Sequence, residues 1–409
     1  MGSFSTALSG LSADSVALNT IGNNLANLNT TAFKKQTTNF EDLFYQQIGE
    51  NGANDALQVG VGTKVSSTST NFTGGGINPT TDTKDMALTG DGFFVVQQGG
   101  TQSLTRAGNF QLDSNGHLIT TEGANVMGYN AVNGVISGTT SLAPLTLPTG
   151  STESATATQN FSLTANLNAS AANGTSFSTQ VQVYDSLGQT HQASISFTKT
   201  AANTWSYGVT LPPGDFTGVA ANNTGTMTFD STGKLTAPTG TLSAITFPGL
   251  PNGASDLSFN WNLNDANGNP TISQTTAPSA ASASFQDGFT SGVYNGFGVD
   301  SSGVITATYS NNQKVVVGQV AVATVANNQG LIVTGNNNYM TTASSGQANV
   351  GVAGTGARGT ITDSALELSN VDISSEFADL IVAQRAFEAN SKTVTTFDTV
   401  TQDTLAMIR

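Results

Sequence analysis

The chain has 409 residues, of which only 12 are Lys or Arg and 26 are Asp or Glu, so 9% of it is charged and its net charge is −14. A typical soluble domain has about 25% charged residues. Hydroxyls and amides take their place here: Ser, Thr and Asn make up roughly a third of the chain, with 45 Gly besides. The 37% hydrophobic share is too high for a disordered polar tract. The acidic balance argues against nucleic acid, because phosphate binding needs clustered Lys and Arg, and against an anionic membrane surface for the same reason. The absence of Cys excludes disulfides, thiolate metal sites and a Cys nucleophile. No apolar run approaches the ~20 residues of a membrane span. The first cation is Lys34, so no basic leader of the secretory kind is expected, and a protein that leaves the cell would need another route.

All ten Pro lie between Pro79 and Pro278, and all Gly but Gly2, Gly10 and Gly22 lie between Gly49 and Gly359. Gly and Pro break helices, so the map predicts helical ends around a β-rich middle. At the N-terminal end Phe4, Leu11, Leu18 and Leu25 recur every seven residues. Apolar residues at that spacing form one helical face suited to a coiled coil. The middle reads as hairpins. Asp-x-x-Gly recurs at Asp113, Asp185, Asp230, Asp265 and Asp300, each a turn in which Asp opens and Gly supplies the positive φ. None continues into the ligand spacing of an EF-hand loop. Leu257, Phe259, Trp261 and Leu263 alternate with polar residues, as a half-buried strand does. His117 and His191 follow two of the turns and are expected as solvated hairpin residues.

Composition shifts between Leu147 and Phe285, where Lys199 and Lys234 are the only cations. The stretches 148–158 and 275–284 are poor in large apolar residues and read as paired linkers around an inserted domain. The C-terminal end carries a second register of sevens, Leu366, Ile373, Leu380, Phe387, Val394 and Ile408, thickened by Phe377, Phe397 and Leu405. Asp372 or Ser374 would cap its helix. The simplest arrangement pairs the two terminal stripes with each other and then with other copies; an ordinary amphipathic helix on its own domain is the alternative. The expected fold is therefore mainly β with α-helical termini. Residues 1–30 and 366–409 form a terminal coiled coil, 31–70 and 346–365 connecting segments, 71–147 and 285–345 an inner β-domain, and 148–284 an inserted outer β-domain.

No chemistry of an enzyme emerges. Neither His has a second His at metal spacing, and Gly233-Lys234 lacks both the earlier Gly and the following Ser or Thr of a phosphate loop. No catalytic, cofactor or metal residue is assigned. The match of residues 1–6 to a myristoylation pattern is set aside because Phe4 already belongs to the helical stripe.

The ends are recognisable as a family. Asn24-Leu25-Ala26-Asn27-Leu28-Asn29-Thr30-Thr31-Ala32-Phe33-Lys34 resembles the N-terminal signature of bacterial flagellar rod and hook proteins, with Ala32 where that signature usually has Gly. Leu366-Glu367-Leu368-Ser369-Asn370-Val371-Asp372 is similar to the family's second signature, and residues 383–392 to its closing helix. Residues 88–96 and 105–110 resemble its shared β-region, and Val183–Gly188 resembles part of the insertion that its hook branch carries and simpler rod proteins lack. The resemblance implies a structural subunit that polymerises head to tail into a short curved tube passing motor torque to the filament; a distal rod protein is the alternative. It further implies contacts with the rod, the hook–filament junction, a hook cap and the flagellar type III export apparatus, and an extracellular location reached without a cleaved signal.

Overall fold

The computed structural model describes residues 2–50, 56–137 and 141–407, with the side chains of residues 2 and 3 left aside. The chain is mainly β, with one long helix at each end. It divides into two compact units: one holds residues up to Thr149, Phe297–Ala307 and Val315 onward, the other Gly150–Gly296 and Thr308–Lys314.

In the first unit the helices α1 (Gly2–Ala26) and α2 (Ile373–Met407) pack side by side. Asp372 caps α2: its carboxylate accepts the backbone N–H groups of Ser374 at 2.8 Å and Ser375 at 3.0 Å. The helix thus begins later than the register of sevens implied. Leu366 is not helical but lies in the short strand Ala365–Glu367, opposite Asn78, and Ile408 falls outside the described residues. The antiparallel strands Gln36–Asp42 and Thr63–Thr70 lean on α1, and Tyr45–Glu50 pairs with Ala56–Gly60.

The main sheet of this unit centres on Phe93–Gln98, paired with Thr101–Thr105, Asn125–Asn130 and the end of Lys314–Thr324. Its run Phe93-Phe94-Val95-Val96 is buried on both faces, the sign of an interior strand. Phe94 and Val96 join one cluster with Val320, Val322 and Ile305. Phe93 and Val95 join another with Leu104, Ala321 and Tyr339. Residues 346–365 do more than connect: Asn349–Val352 pairs with Lys314–Thr324, and Thr360–Asp363 with Met86–Thr89.

The second unit contains two five-stranded sheets whose apolar residues merge in one core. One sheet runs Thr241–Phe247, Leu257–Asn262, Asn160–Asn168, Ile272–Thr275, with Ala280–Gln286 also pairing Asn160–Asn168. The other runs Ser176–Tyr184, Thr190–Ala201, Thr204–Thr210, Thr224–Phe229, Leu235–Ala237. The alternation read from the sequence sends Leu257, Phe259, Trp261 and Leu263 inward, where Trp261 stacks on Phe161 and meets Phe197 and Tyr207 edge-on.

Each of the five Asp turns closes in the same way. One carboxylate oxygen accepts the N–H groups two and four residues on, and each Gly takes a φ of 81–82°. The histidines differ from expectation. His117 is half-buried with Nδ1 2.9 Å from Asp113 Oδ2. His191 is only 3% exposed, held between Asp185 Oδ2 at 3.2 Å and Asp215 Oδ2 at 3.0 Å. It lies on the inward register of Thr190–Ala201 with Ala193, Ile195 and Phe197, so strand alternation draws it inside.

Candidate assembly site

The helix pair approaches closely at Gly10. On α1 the buried positions are Ala7, Gly10, Ala13, Thr20 and Asn24, while Leu11, Leu18 and Leu25 are half-buried and Phe4 is 44% exposed. Close approach explains the exchange of roles: a Cβ on Gly10 would come within 2.7 Å of Asn390 Nδ2, and that amide donates to Asp14 Oδ2 at 2.8 Å. On α2 the less exposed positions include Glu376, Leu380, Ala383, Phe387, Asn390, Val394 and Phe397, a run of alternating fours and threes. Ile373, Phe377 and Leu405 stand 47%, 50% and 63% exposed. A groove of about 350 Å³ remains between α1, α2 and Gln36–Asp42, with Ile21, Phe40, Val382 and Ala386 among its apolar lining.

The segments following α1 and preceding α2 are fastened by a buried polar cluster. Asn24 grips the backbone of Gln36, accepting its N–H at 3.0 Å and donating to its carbonyl at 2.8 Å, and donates again to Glu376 Oε2 at 3.1 Å. Lys35 pairs with Glu376 and, at 3.8 Å, with Asp379. The Lys34 ammonium donates to Glu367 Oε1 at 2.6 Å and to the Thr73 carbonyl at 2.9 Å. Arg106 donates to Glu367 Oε2 at 3.4 Å and to the carbonyls of Leu88 and Gly90. The Gly75 N–H also donates to Glu367, at 2.9 Å. The side chains of Lys34, Glu367 and Arg106 are 0%, 1% and 4% exposed.

Burial pulls the Lys34 ammonium below the ordinary lysine value, against the opposing charge and hydrogen bond of Glu367, and Arg106 adds to the lowering. Burial raises the nearby Tyr339 phenol to about 12, with Arg106 pulling it down and Glu367 pushing it up.

The signature residues converge here. Asn370 accepts the Lys35 N–H at 2.7 Å and donates to the carbonyls of Asn71 and Thr73. The Asn370 N–H reaches the Phe33 carbonyl, and the Ala32 N–H the Glu367 carbonyl. Ala32 sits fully buried at φ 56°, so Ala here adopts the left-handed turn that Gly would take. Asn27 and Thr30 bond each other across the helix end, and Ser369 Oγ accepts from the buried Val371. Ala26 is exposed at the last turn of α1. Glu376 stands in the first turn of α2, where a carboxylate suits the helix N-terminus, and Glu367 and Arg106 lie within two of the runs that resemble the family, but no local pattern marks any of the three as buried partners. The cluster fastens backbone segments and presents no open acid, base or nucleophile.

Four family models match the chain: "Flagella basal body rod protein" over residues 4–34, "Flagellar hook protein FlgE/F/G D1 domain" over 87–162, "Flagellar basal body protein FlaE D2 domain" over 157–289, and "Flagellar basal body rod FlgEFG protein C-terminal" over 362–407. The flagellar hook protein FlgE of Treponema pallidum is 32% identical over all of both chains. That of Escherichia coli is 34% identical over 97% of this chain and 98% of its own, and that of Borreliella burgdorferi 31% identical over 98% of each. The crystal structure of Helicobacter pylori flagellar hook protein FlgE2 superposes with a TM-score of 0.56 over 71% of this chain and all of its own; at 16% identity this is a likeness of fold.

Proposed function

The chain belongs to the flagellar hook protein family, a family of structural proteins and not of enzymes, and from that premise we propose how its copies join and what they join to. It is a structural subunit of the bacterial flagellar hook, whose copies polymerise. The observation that carries this reading is similarity to hook proteins over the full length of the chain. The relatives named above are hook proteins, and none of them supports the distal-rod alternative.

The polymer is an open head-to-tail one, since heterologous contacts that do not close give helical filaments. The contact residues are Phe4, Leu11, Leu18 and Leu25 on α1 and Ile373, Phe377, Leu380, Phe387, Val394, Phe397 and Leu405 on α2, with Leu366 and Ile408 completing the set. What supports this is the exposure of part of the set: the large apolar side chains Phe4, Ile373, Phe377 and Leu405 face outward, and the others among the described residues are half-buried along the same two helices and the strand before α2. The signature residues clasp each subunit's own termini so that both helices are presented together. The outer domain is the insertion 148–284, the inner one 71–147 with 285–345, and the segments 31–70 and 346–365 join them to the helices. The polymer adjoins the rod, the hook–filament junction proteins and the hook cap. The subunit travels through the type III export apparatus to an extracellular position without a cleaved signal.

The test is electron microscopy of material sheared from cells whose only hook subunit is this chain. Short curved tubes are expected. Straight axial segments would restore the rod, and no polymer would end the reading.

A further inference from the structure

The sheets of the second unit lack charge to a degree that calls for an explanation. Its ten strands from Asn160–Asn168 to Ala280–Gln286 contain one Lys, Arg, Asp or Glu, namely Lys199. That side chain is buried, donating to the Ala169 carbonyl and lying over the Trp205 ring. Exposed edge strands are ordinarily guarded by charges, Pro or bulges, because their free N–H and C=O groups recruit further strands. One rim of this sandwich is guarded in that way. Thr241–Phe247 is broken by a bulge with Ala244 at φ 51°, and Leu235–Ala237 has three residues followed by Pro238.

The other rim is open. Ser176–Tyr184 has nine residues, no charge, no Pro and an unbroken register against Thr190–Ala201, its sole ladder partner among the described residues. The outward groups can be assigned. The N–H and C=O of Tyr184 turn away from that partner and are met by Thr158. By the two-residue repeat of an antiparallel ladder, the N–H and C=O of Ser176, Ser178, Gln180 and Gln182 point the same way. The side chains of these four residues are exposed. Beside this strand lies the second edge, Ala280–Gln286, bulged at Ser282 and carrying Phe285, 66% exposed.

We infer that the edge Ser176–Gln182 receives an extended, uncharged segment of a second copy of this chain by strand addition, with Phe285 as an apolar anchor beside it. The inference rests on the polymer proposed above, because a polymer sets copies next to one another. Charge supports that occupant: two chains of net charge −14 repel, and this edge lets them meet where neither contributes a like charge. The segment received is not the same edge of the neighbour, since two identical edges related by a twofold close a dimer and end growth.

Amide hydrogen exchange, resolved to single residues and compared between soluble full-length subunit and assembled polymer, tests this. The amides of Ser178 and Gln180 are expected to exchange at least tenfold more slowly in the polymer; equal rates would overturn the inference while leaving the polymer intact. A sample that forms no polymer overturns the functional reading and this inference with it. The double variant Ser178→Lys/Gln180→Lys places both charges at exposed positions and should keep the buried-tryptophan fluorescence. It should need at least tenfold more subunit to extend polymer seeds, and unchanged growth would refute the pairing.

Discussion

Replacing Glu367 by Ala removes the one carboxylate shared by Lys34 and Arg106. The Lys34 ammonium, wholly shielded from solvent, would keep only the Thr73 carbonyl at 2.9 Å, with the Arg106 guanidinium as a neighbouring like charge. Breaking a buried pair by deleting one partner costs about 3–5 kcal/mol, because the remaining charge stays desolvated. The Gly75 N–H loses its acceptor as well, adding about 1–3 kcal/mol if no water replaces it. Against a domain stability of about 5–15 kcal/mol, the first unit should lose about a fifth of its margin or more. With a urea dependence of about 1–3 kcal/mol per molar, its unfolding midpoint should fall by at least about 1 M.

The molecule contains its own control. Both tryptophans, Trp205 and Trp261, are fully buried in the second unit. Their fluorescence follows that unit alone, while amide exchange of residues 86–110 follows the first. Glu367→Ala should bring forward exchange in 86–110 and leave the tryptophan midpoint in place. The double variant Lys34→Met/Glu367→Leu should cost less than the sum of its single changes by about 1–3 kcal/mol. A loss under about 1 kcal/mol for Glu367→Ala, or additivity in the double variant, would refute the view that the clasp is one desolvated unit.

Replacing Leu380 and Phe387 with Asp places carboxylates on the partly covered face of α2; cells carrying this variant should form no hooks and fail to swim, with the tryptophan signal of the second unit unchanged. Alkaline unfolding should show the Tyr339 phenol: the folded chain holds its proton to about 12 and the unfolded chain releases it near 10, so the folded state binds more protons and stability falls by up to about 2–3 kcal/mol across that interval. Tyr339→Phe should flatten that fall in a pH series of urea titrations. Burial raises the Asp185 carboxyl, but hydrogen bonds from Asn252, His191 and the Gln189 and Leu187 N–H groups outweigh it and hold the value below 3.8. The folded state therefore binds fewer protons as acid is added, and stability of the second unit should be lost as pH falls below about 4, less steeply in Asp185→Asn when tryptophan fluorescence is followed.

Where local rules decide, the sequence was legible. Asp-x-x-Gly yields its turn in five places because one side chain and one φ settle it, and Leu257 to Leu263 show their inward face through alternation alone. The seven-residue register was harder to read. On α1 it selects the leucines, yet the buried positions are Ala7, Gly10 and Ala13, and the close approach of Gly10 to Asn390 leaves the larger side chains flanking. At His191 two local patterns compete: the turn before it points to solvent, and the alternation of Thr190–Ala201 places it inside. The Lys34–Glu367 contact spans 333 residues, and no local pattern encodes a distance of that kind.

The scarcity of charge links the two ends of the problem. In the second unit the strands have almost none, and of the carboxylates that remain, Asp185, Asp230 and Asp265 open turns while Asp256 and Asp287 accept backbone N–H groups of Gly249, Gln159 and Asn160. In the first unit, Lys34, Arg106, Glu367 and Glu376 go inside, where a charge costs the most and is kept only when paired. Here charge fixes the conformation of each subunit, which leaves the strand edges and apolar helix faces for contacts between subunits. Contacts made through the Ser176–Gln182 edge depend little on salt, because screening acts on exposed charges and that strand carries none. Polymer stability should accordingly change less than about tenfold in critical concentration between 50 mM and 500 mM NaCl. A steep salt dependence measured by seeded growth would show that ion pairs join the copies and would overturn this division of roles.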